Sequence, residues 1–189
     1  MSHLEEKGKR MARFFTSDTH YYHRNILKKF CVNTRRGEDE VEMTELMILA
    51  WNRRVSPQDT VFHLGDVSFA NAQKTRAVLD RLNGKIVYIK GNHDAPALDP
   101  LCRSRYESIN DYLEIKENGR DVIMFHFPIA RWNKYHHGSF HLYGHEHGNF
   151  VQEGRCMDVG VDTRPGADMA PWSWDEIEAI LSKKEIIIV

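Results

Sequence analysis

Residues 60–94 read TVFHLGDVSFANAQKTRAVLDRLNGKIVYIKGNHD. The segment opens on a short β-rich run, Thr60–Leu64, which Gly65 breaks. Ala72 to Leu82 then carries helical spacing and is stopped by Asn83-Gly84, residues that accept the left-handed turn after a helix. Lys85–Lys90 is a second apolar run, again stopped by a glycine, Gly91. Strand, helix and strand in so short a span form a crossover unit, and a crossover of this kind joins parallel strands. The same grammar extends toward the N-terminus. Ala12–Thr16 is a β-rich run ending at Ser17-Asp18, and Glu40–Val55 sets Met43, Leu46, Met47, Ala50, Trp51 and Val55 on one helical face.

Toward the C-terminus the pattern changes. Tyr112–Ile115 and Val122–Phe125 flank Glu117-Asn118-Gly119-Arg120, whose Asn-Gly pair predicts a tight hairpin. Ser139–Tyr143 and Met157–Val161 are further strand candidates. Ser173-Trp174-Asp175-Glu176 is a capping box opening a helix to about Ser182. Glu185–Val189 reads as an edge strand or a frayed tail. Strands of both senses with helices outside predict an α/β fold of two packed, mixed sheets flanked by helices.

A chain of 189 residues is long enough for one domain, expected over 1–189, with a real core. A net charge of −1 argues against a long nucleic-acid polymer or an anionic membrane as partner, while a short nucleotide stays open. Cys31, Cys102 and Cys156 are scattered, with no CxxC pair, and read as reduced thiols. The charged start Met1–Arg10 has no apolar h-region, and no stretch is long enough to span a bilayer. Together these features predict a cytoplasmic protein.

The polar residues fall in a revealing order. Asp18 and His20 follow the first strand, Asp66 the second, and Asn92, His93 and Asp94 the third. His126 follows the hairpin's second arm, and His145 and His147 follow the next strand. Strand ends along one sheet edge gather in space, and α/β ligand sites lie at such edges. Imidazole, carboxylate and amide donors without thiolate suit Mn, Fe or Zn. One tetrahedral site needs only about four ligands. Asp18, His20, Asp66, Asn92, His126, His145 and His147 exceed that number and fit two ions sharing a carboxylate. Glu146, between two of them, should point away.

The ordered set Asp18-x-His20, Gly65-Asp66, Gly91-Asn92-His93-Asp94, His126 and Gly144-His145-x-His147 resembles the calcineurin-like metallophosphoesterase superfamily, over about residues 12–162. The stretch Asp18–Ile26 and the later Val159-Gly160-Val161-Asp162 are similar to its small, capless members. The resemblance implies a four-layer α/β/β/α sandwich and a dinuclear hydrolase acting on a phosphodiester or small phosphoester, nucleotides included. It implies two divalent transition metals, Mn foremost, with Fe, Zn or Ni as alternatives. Asp18, His20, Asp66 and His147 would hold one ion, and Asp66, Asn92, His126 and His145 the other. His93 would contact phosphate and protonate the leaving oxygen.

One departure stands out. Many relatives carry GDxxDR, whose second Asp orients the histidine, but here Phe69-Ala70 replaces the Asp-Arg pair. Asp94 is a possible substitute partner for His93, or only a loop cap. Arg24, Arg131 or Arg164 could replace the missing arginine, and Asn25 is a further substrate-binding candidate. His23 could line the pocket or begin a helix. His63 and His141 read as structural, His136 and His137 as surface. The alternative function is a non-catalytic metal-binding scaffold of the same fold, which would be expected to lose ligands or His93. A metallo-β-lactamase-type hydrolase needs an HxHxDH run, which His145-Glu146-His147-Gly148-Asn149-Phe150 does not supply.

Overall fold

A computed structural model describes residues 11–188; the charged start Met1–Arg10 and the final Val189 lie outside them. The first sheet is built from β1 (Arg13–Thr16), β2 (Thr60–His63), β3 (Lys85–Ile89) and β4 (Tyr106–Asn110), with the short β9 (Trp172–Ser173) on its far edge. Its order is β4-β3-β2-β1-β9. The pairs β1–β2, β2–β3 and β3–β4 are parallel, and β9 runs antiparallel to β1. Crossovers run through α1 (Glu40–Arg54) and α2 (Ala72–Leu79), as the helical spacings in Glu40–Val55 and Ala72–Leu82 predict. Asp39 caps α1 by accepting from the N–H groups of Val41 and Glu42, and Asn71 caps α2 through the N–H of Lys74.

The second sheet has the order β5-β6-β7-β8, from β5 (Tyr112–Glu117), β6 (Arg120–Phe125), β7 (Phe140–Tyr143) and β8 (Cys156–Asp158). β5 and β6 form the expected hairpin, and Asn118 and Gly119 both adopt positive φ, 47° and 80°. The pairs β6–β7 and β7–β8 are parallel. Both sheets are therefore mixed.

Alternation along the strands divides the core. In β1, Phe14 faces the helices, where Met43, Met47 and Trp51 of α1 pack with Val61, Ile86 and Tyr88. Its neighbour Phe15 faces the other way, joining Phe62 and Ile89 against Val122, Met124, Phe140 and Leu142 of the second sheet. α4 (Trp174–Leu181), opened by the Ser173–Glu176 capping box, adds Ile177 and Leu181 to this inter-sheet core. The second sheet's outer face, with Ile123, Tyr143 and Cys156, is covered by Ile129, Trp132, Tyr135 and Ile187.

Several boundaries differ from the sequence expectation. α3 (Pro100–Arg103) and the edge strand β4 were not anticipated. α2 ends at Leu79, with turns to Leu82. β8 stops at Asp158, because Gly160 leaves the second sheet and bridges Ser17 at the end of β1. Residues 185–188 form no strand; Ile187 packs under the second sheet.

Candidate metal centre

Parallel registry brings the ends of β1, β2 and β3 to one edge. The N–H of Asp18 donates to the Gly65 carbonyl at 2.9 Å, and that of His20 to the Asp66 carbonyl at 3.0 Å. The second sheet is stitched to this edge by Val161 N–H donating to the Ser17 carbonyl at 3.1 Å. Beyond the strand ends the backbone turns sharply. Asp18, His20, Asp66, His145 and His147 all have positive φ, between 47° and 71°. For residues with side chains this region costs of order 1–3 kcal/mol each, and such conformations cluster at functional sites. Close approach adds a second demand. A Cβ on Gly65 would lie 2.5 Å from the Gly91 nitrogen, and one on Gly144 would collide with the side chains of Ser17 and Asp18.

The seven expected donors converge. Asp66 stands between two histidines, with its Oδ2 3.7 Å from His20 Nε2 and its Oδ1 3.7 Å from His126 Nε2. Asp18 Oδ1 lies 3.8 Å from His20 Nε2, while its Oδ2 accepts from the His145 N–H at 2.8 Å. His126 Nδ1 sits 2.6 Å from the Leu64 carbonyl, which can only accept, so this nitrogen carries the proton. Its Nε2 then faces Asn92 Oδ1 at 2.9 Å, acceptor against acceptor, a contact that only a cation between them would satisfy, and His145 Nδ1 approaches the same oxygen at 3.0 Å.

These groups fit a cation. Asp18 Oδ1 and both ring nitrogens of His20 are buried without a hydrogen-bond partner. Unpaired buried polar atoms of this kind are expensive unless something unites them. Burial pushes the Asp18 carboxyl up to about 8, against the pull of His147. Burial, with Arg35 next, pushes His20 far below its ordinary value and keeps it neutral, the form that binds a metal. Asp18, His20 and His147 each place one ligand atom in a common cluster, as do Asp18, Asp66 and His126.

A buried ionic chain stands behind His147. Its Nδ1 donates to Asp162 Oδ2 at 2.7 Å, leaving Nε2 for the cluster. Asp162 is gripped in turn by Arg35, whose Nε reaches Oδ1 at 2.9 Å and whose Nη2 reaches Oδ2 at 2.6 Å. The same guanidinium donates to the carbonyls of Asp18 and Thr19, both at 2.6 Å. Burial works against the Asp162 carboxylate, but Arg35 and then His147 hold it well below the usual range. Burial likewise disfavours the His147 imidazolium, yet the hydrogen bond to Asp162 carries it up to about 10. Cys31 Sγ lies 3.8 Å from His147 Nδ1. Both Asp162 oxygens are already taken by Arg35 and Thr34, so Cys31, His147 and Asp162 do not form a site of their own.

His20, Asp66, His145 and His147 floor a cleft of about 320 Å³, walled by His93, His23, Phe69, Ile26 and Phe30. His93 is exposed, and its backbone N–H donates to Asp66 Oδ1 at 2.8 Å. Asp94 does not serve as its side-chain partner here. It is buried and spends its oxygens on the N–H groups of Asp66 at 2.9 Å, Val67 at 2.9 Å and Gly91 at 2.5 Å. It thereby clamps the two loops that carry Asp66 and Asn92.

Arg24, Asn25 and Arg131 are exposed and do not line the cleft. Arg131 instead donates to the Ala130 carbonyl and lies over the Tyr135 ring. Arg164 is buried between Asp168 and Glu176. His63, kept neutral as burial lowers it to about 4, braces Thr19 and Gly65. His141 holds the Ile123 carbonyl and the Ile129 N–H, and His136 and His137 occupy a surface turn. Arg35 escaped the sequence reading altogether. Its partner Asp162 did lie in a marked stretch, and that was the one available clue.

Residues 11–167 match the model of the calcineurin-like phosphoesterase superfamily domain. An uncharacterized protein of Methanocaldococcus jannaschii is 29% identical over 183 residues, spanning 92% of this chain and 93% of that protein. The gene 66 protein of Mycobacterium phage D29 is 27% identical over 208 residues, spanning 91% of this chain and 96% of that protein. Among solved structures, a protein of unknown function from Aquifex aeolicus superposes with a TM-score of 0.69 at 22% identity. That match covers 90% of this chain and 99% of the other, and shows the shared fold.

Proposed function

Since the chain belongs to the calcineurin-like phosphoesterase superfamily, and so is a metal-dependent phosphoric ester hydrolase, we propose that it works with two metal ions on a small phosphoester or phosphodiester. The observation that carries this reading is the pair of buried, partnerless atoms Asp18 Oδ1 and His20 Nε2, which stand 3.8 Å apart with Asp66 Oδ2 3.7 Å from that nitrogen. Asp18, His20, Asp66 and His147 would hold one ion and Asp66, Asn92, His126 and His145 the other. The two Asp66 oxygens face opposite histidines, which supports a bridging role. Nitrogen and oxygen donors suit Mn first, with Fe, Zn or Ni as alternatives. Bound there, such ions supply charge to the phosphoryl oxygens and the acidity that makes water nucleophilic near neutral pH.

The chain's own residues do the rest. His93, exposed in the cleft wall, would donate a proton to the leaving oxygen. His126 and His147 are fixed in their tautomers by Leu64 and Asp162. Asp94 holds the Asp66 and Asn92 loops at their present spacing. Three free, buried cysteines support a cytoplasmic setting.

Elemental analysis of Mn-loaded protein should give close to two ions per chain. Asp66→Asn should weaken both. His93→Ala should keep both while kcat falls by roughly 10²–10⁴-fold. A single tight ion with no second uptake would sink the dinuclear reading, and loss of an ion in His93→Ala would make that residue a ligand. Retained ligands with no hydrolysis of any phosphoester would favour the scaffold alternative.

A further inference from the structure

One wall of the cleft is aromatic. Phe69 lies flat on the His23 ring, with centroids 3.8 Å apart and planes 6° from parallel. Its ring is also 5.2 Å from His93 and 5.1 Å from His20. Despite this packing Phe69 is 42% exposed, a large apolar face turned to the space above the donors. Ile26 and Phe30 line the same cleft, and Phe30 is more exposed still. Among the described residues no lysine or arginine lines the cleft.

A substrate held chiefly by its phosphate charges would be met by cations at the rim. Here, apart from the donor cluster itself, the walls offer π-surface and hydrocarbon. Whatever is bonded to the oxygen that His93 protonates must lie beside Phe69, because the two rings are neighbours. A flat, polarisable group there gains stacking, which an aliphatic alcohol or a sugar cannot match. The lack of basic side chains also argues against a long polyanion threading the cleft.

We propose that Phe69, backed by His23, is a stacking platform for the base of a nucleoside esterified through the leaving oxygen, so that this chain prefers short nucleotide esters. The proposal rests on reading the cleft as a phosphoester-hydrolysing site.

The test separates the two. Phosphate esters of the deoxyadenosine 5′-hydroxyl, as monoester and as methyl diester, are compared with abasic counterparts carrying the same primary alkoxide. With identical scissile bonds, only the base differs. Base–aromatic stacking is strong enough to raise kcat/KM for the nucleoside ester by roughly tenfold or more. Phe69→Leu, which keeps apolar bulk but removes the ring, should bring that ratio close to one, and Phe69→Trp should keep it. Independently, the fluorescence of 2-aminopurine deoxyriboside monophosphate should be quenched on titration with wild-type protein, with or without Mn, and much less with Phe69→Leu. Equal kcat/KM for base-bearing and abasic esters, or equal losses on both in Phe69→Leu, would overturn the platform while leaving the hydrolase intact. If no ester is cleaved, the hydrolase reading fails, and the quenching titration still decides: quenching that needs the Phe69 ring supports the platform, and its absence overturns it.

Discussion

His147 owes its position to residues that lie behind the metal-facing cluster and contribute no donor to it. Asp162 fixes its tautomer, and Arg35 neutralises Asp162 while tying down the carbonyls of Asp18 and Thr19. Supporting residues of this kind typically change metal affinity by 10–100-fold. Asp162→Asn should therefore weaken Mn binding by about 10–100-fold in calorimetric titration, since an amide cannot stabilise the ring as a carboxylate does. Arg35→Lys should weaken it as well but less, because a single ammonium cannot span one carboxylate and two carbonyls. Affinity unchanged in both variants would remove the chain from the metal's support. The convergence of the seven donors is legible in the sequence because each follows a strand, and parallel strand ends share an edge. Arg35 is not, because it lies in the irregular stretch between residues 31 and 39, where no periodicity says which way a side chain points. Arg131 misleads for a related reason. A loop arginine near a strand end looks available for phosphate, yet its guanidinium settles over Tyr135.

Two glycines separate the chain's structural demands from its chemical ones. Gly119 closes the β5–β6 hairpin at φ 80° with open space around a would-be Cβ, whereas a Cβ on Gly144 would strike Ser17 and Asp18. Gly119→Ala should cost about 1–2 kcal/mol in denaturant unfolding, the usual penalty for a left-handed alanine, and leave metal uptake intact. Gly144→Ala should lower metal uptake even where the fold survives, because Asp18 must move. Equal metal binding in the two variants would contradict the tight seat of Asp18. The hairpin, α1, α2 and the α4 capping box are readable because local chemistry decides them: Asn-Gly, a helical apolar face, and Ser173 with Glu176. β4 is harder to see. Its Tyr106-Glu107-Ser108-Ile109-Asn110 has a weak alternation, and as an edge strand it takes its conformation from pairing with β3. The early end of β8 is a tertiary effect, imposed where Gly160 crosses to Ser17.

At the scale of the molecule, the meeting of two sheet edges concentrates buried and half-buried ionisable groups, and this sets how the protein responds to pH without its metals. Burial raises Asp18 from 3.8 to about 8, and Asp162 helps raise His147 from 6.5 to about 10. In both cases the folded state holds its proton more tightly than the unfolded state, so the associated stability is lost as pH rises through the folded value. Buried histidines oppose this at lower pH. His63 and His141 are lowered from 6.5 to about 4 and His20 falls further, so each adds stability as pH rises toward 6.5. Above 6.5 these histidines are neutral in both states and contribute no further slope, leaving Asp18 and His147 to act together. Protein kept in chelator should therefore lose stability from about pH 6.5 to 8, with His147 extending the decline toward pH 10. A cation held by Asp18 and His147 would displace both protons, replacing them as partner of the Asp18 carboxylate and of His147 Nε2. Saturating Mn should then raise the Tm and flatten the slope between pH 6.5 and 8, with protons released on loading. Thermal unfolding across this range, with chelator and with Mn, measures both effects. A chelated protein whose Tm stays level or rises from pH 6.5 to 8 would mean that Asp18 and His147 already have their charges satisfied without a cation, and the physical case for a metal at this edge would be lost.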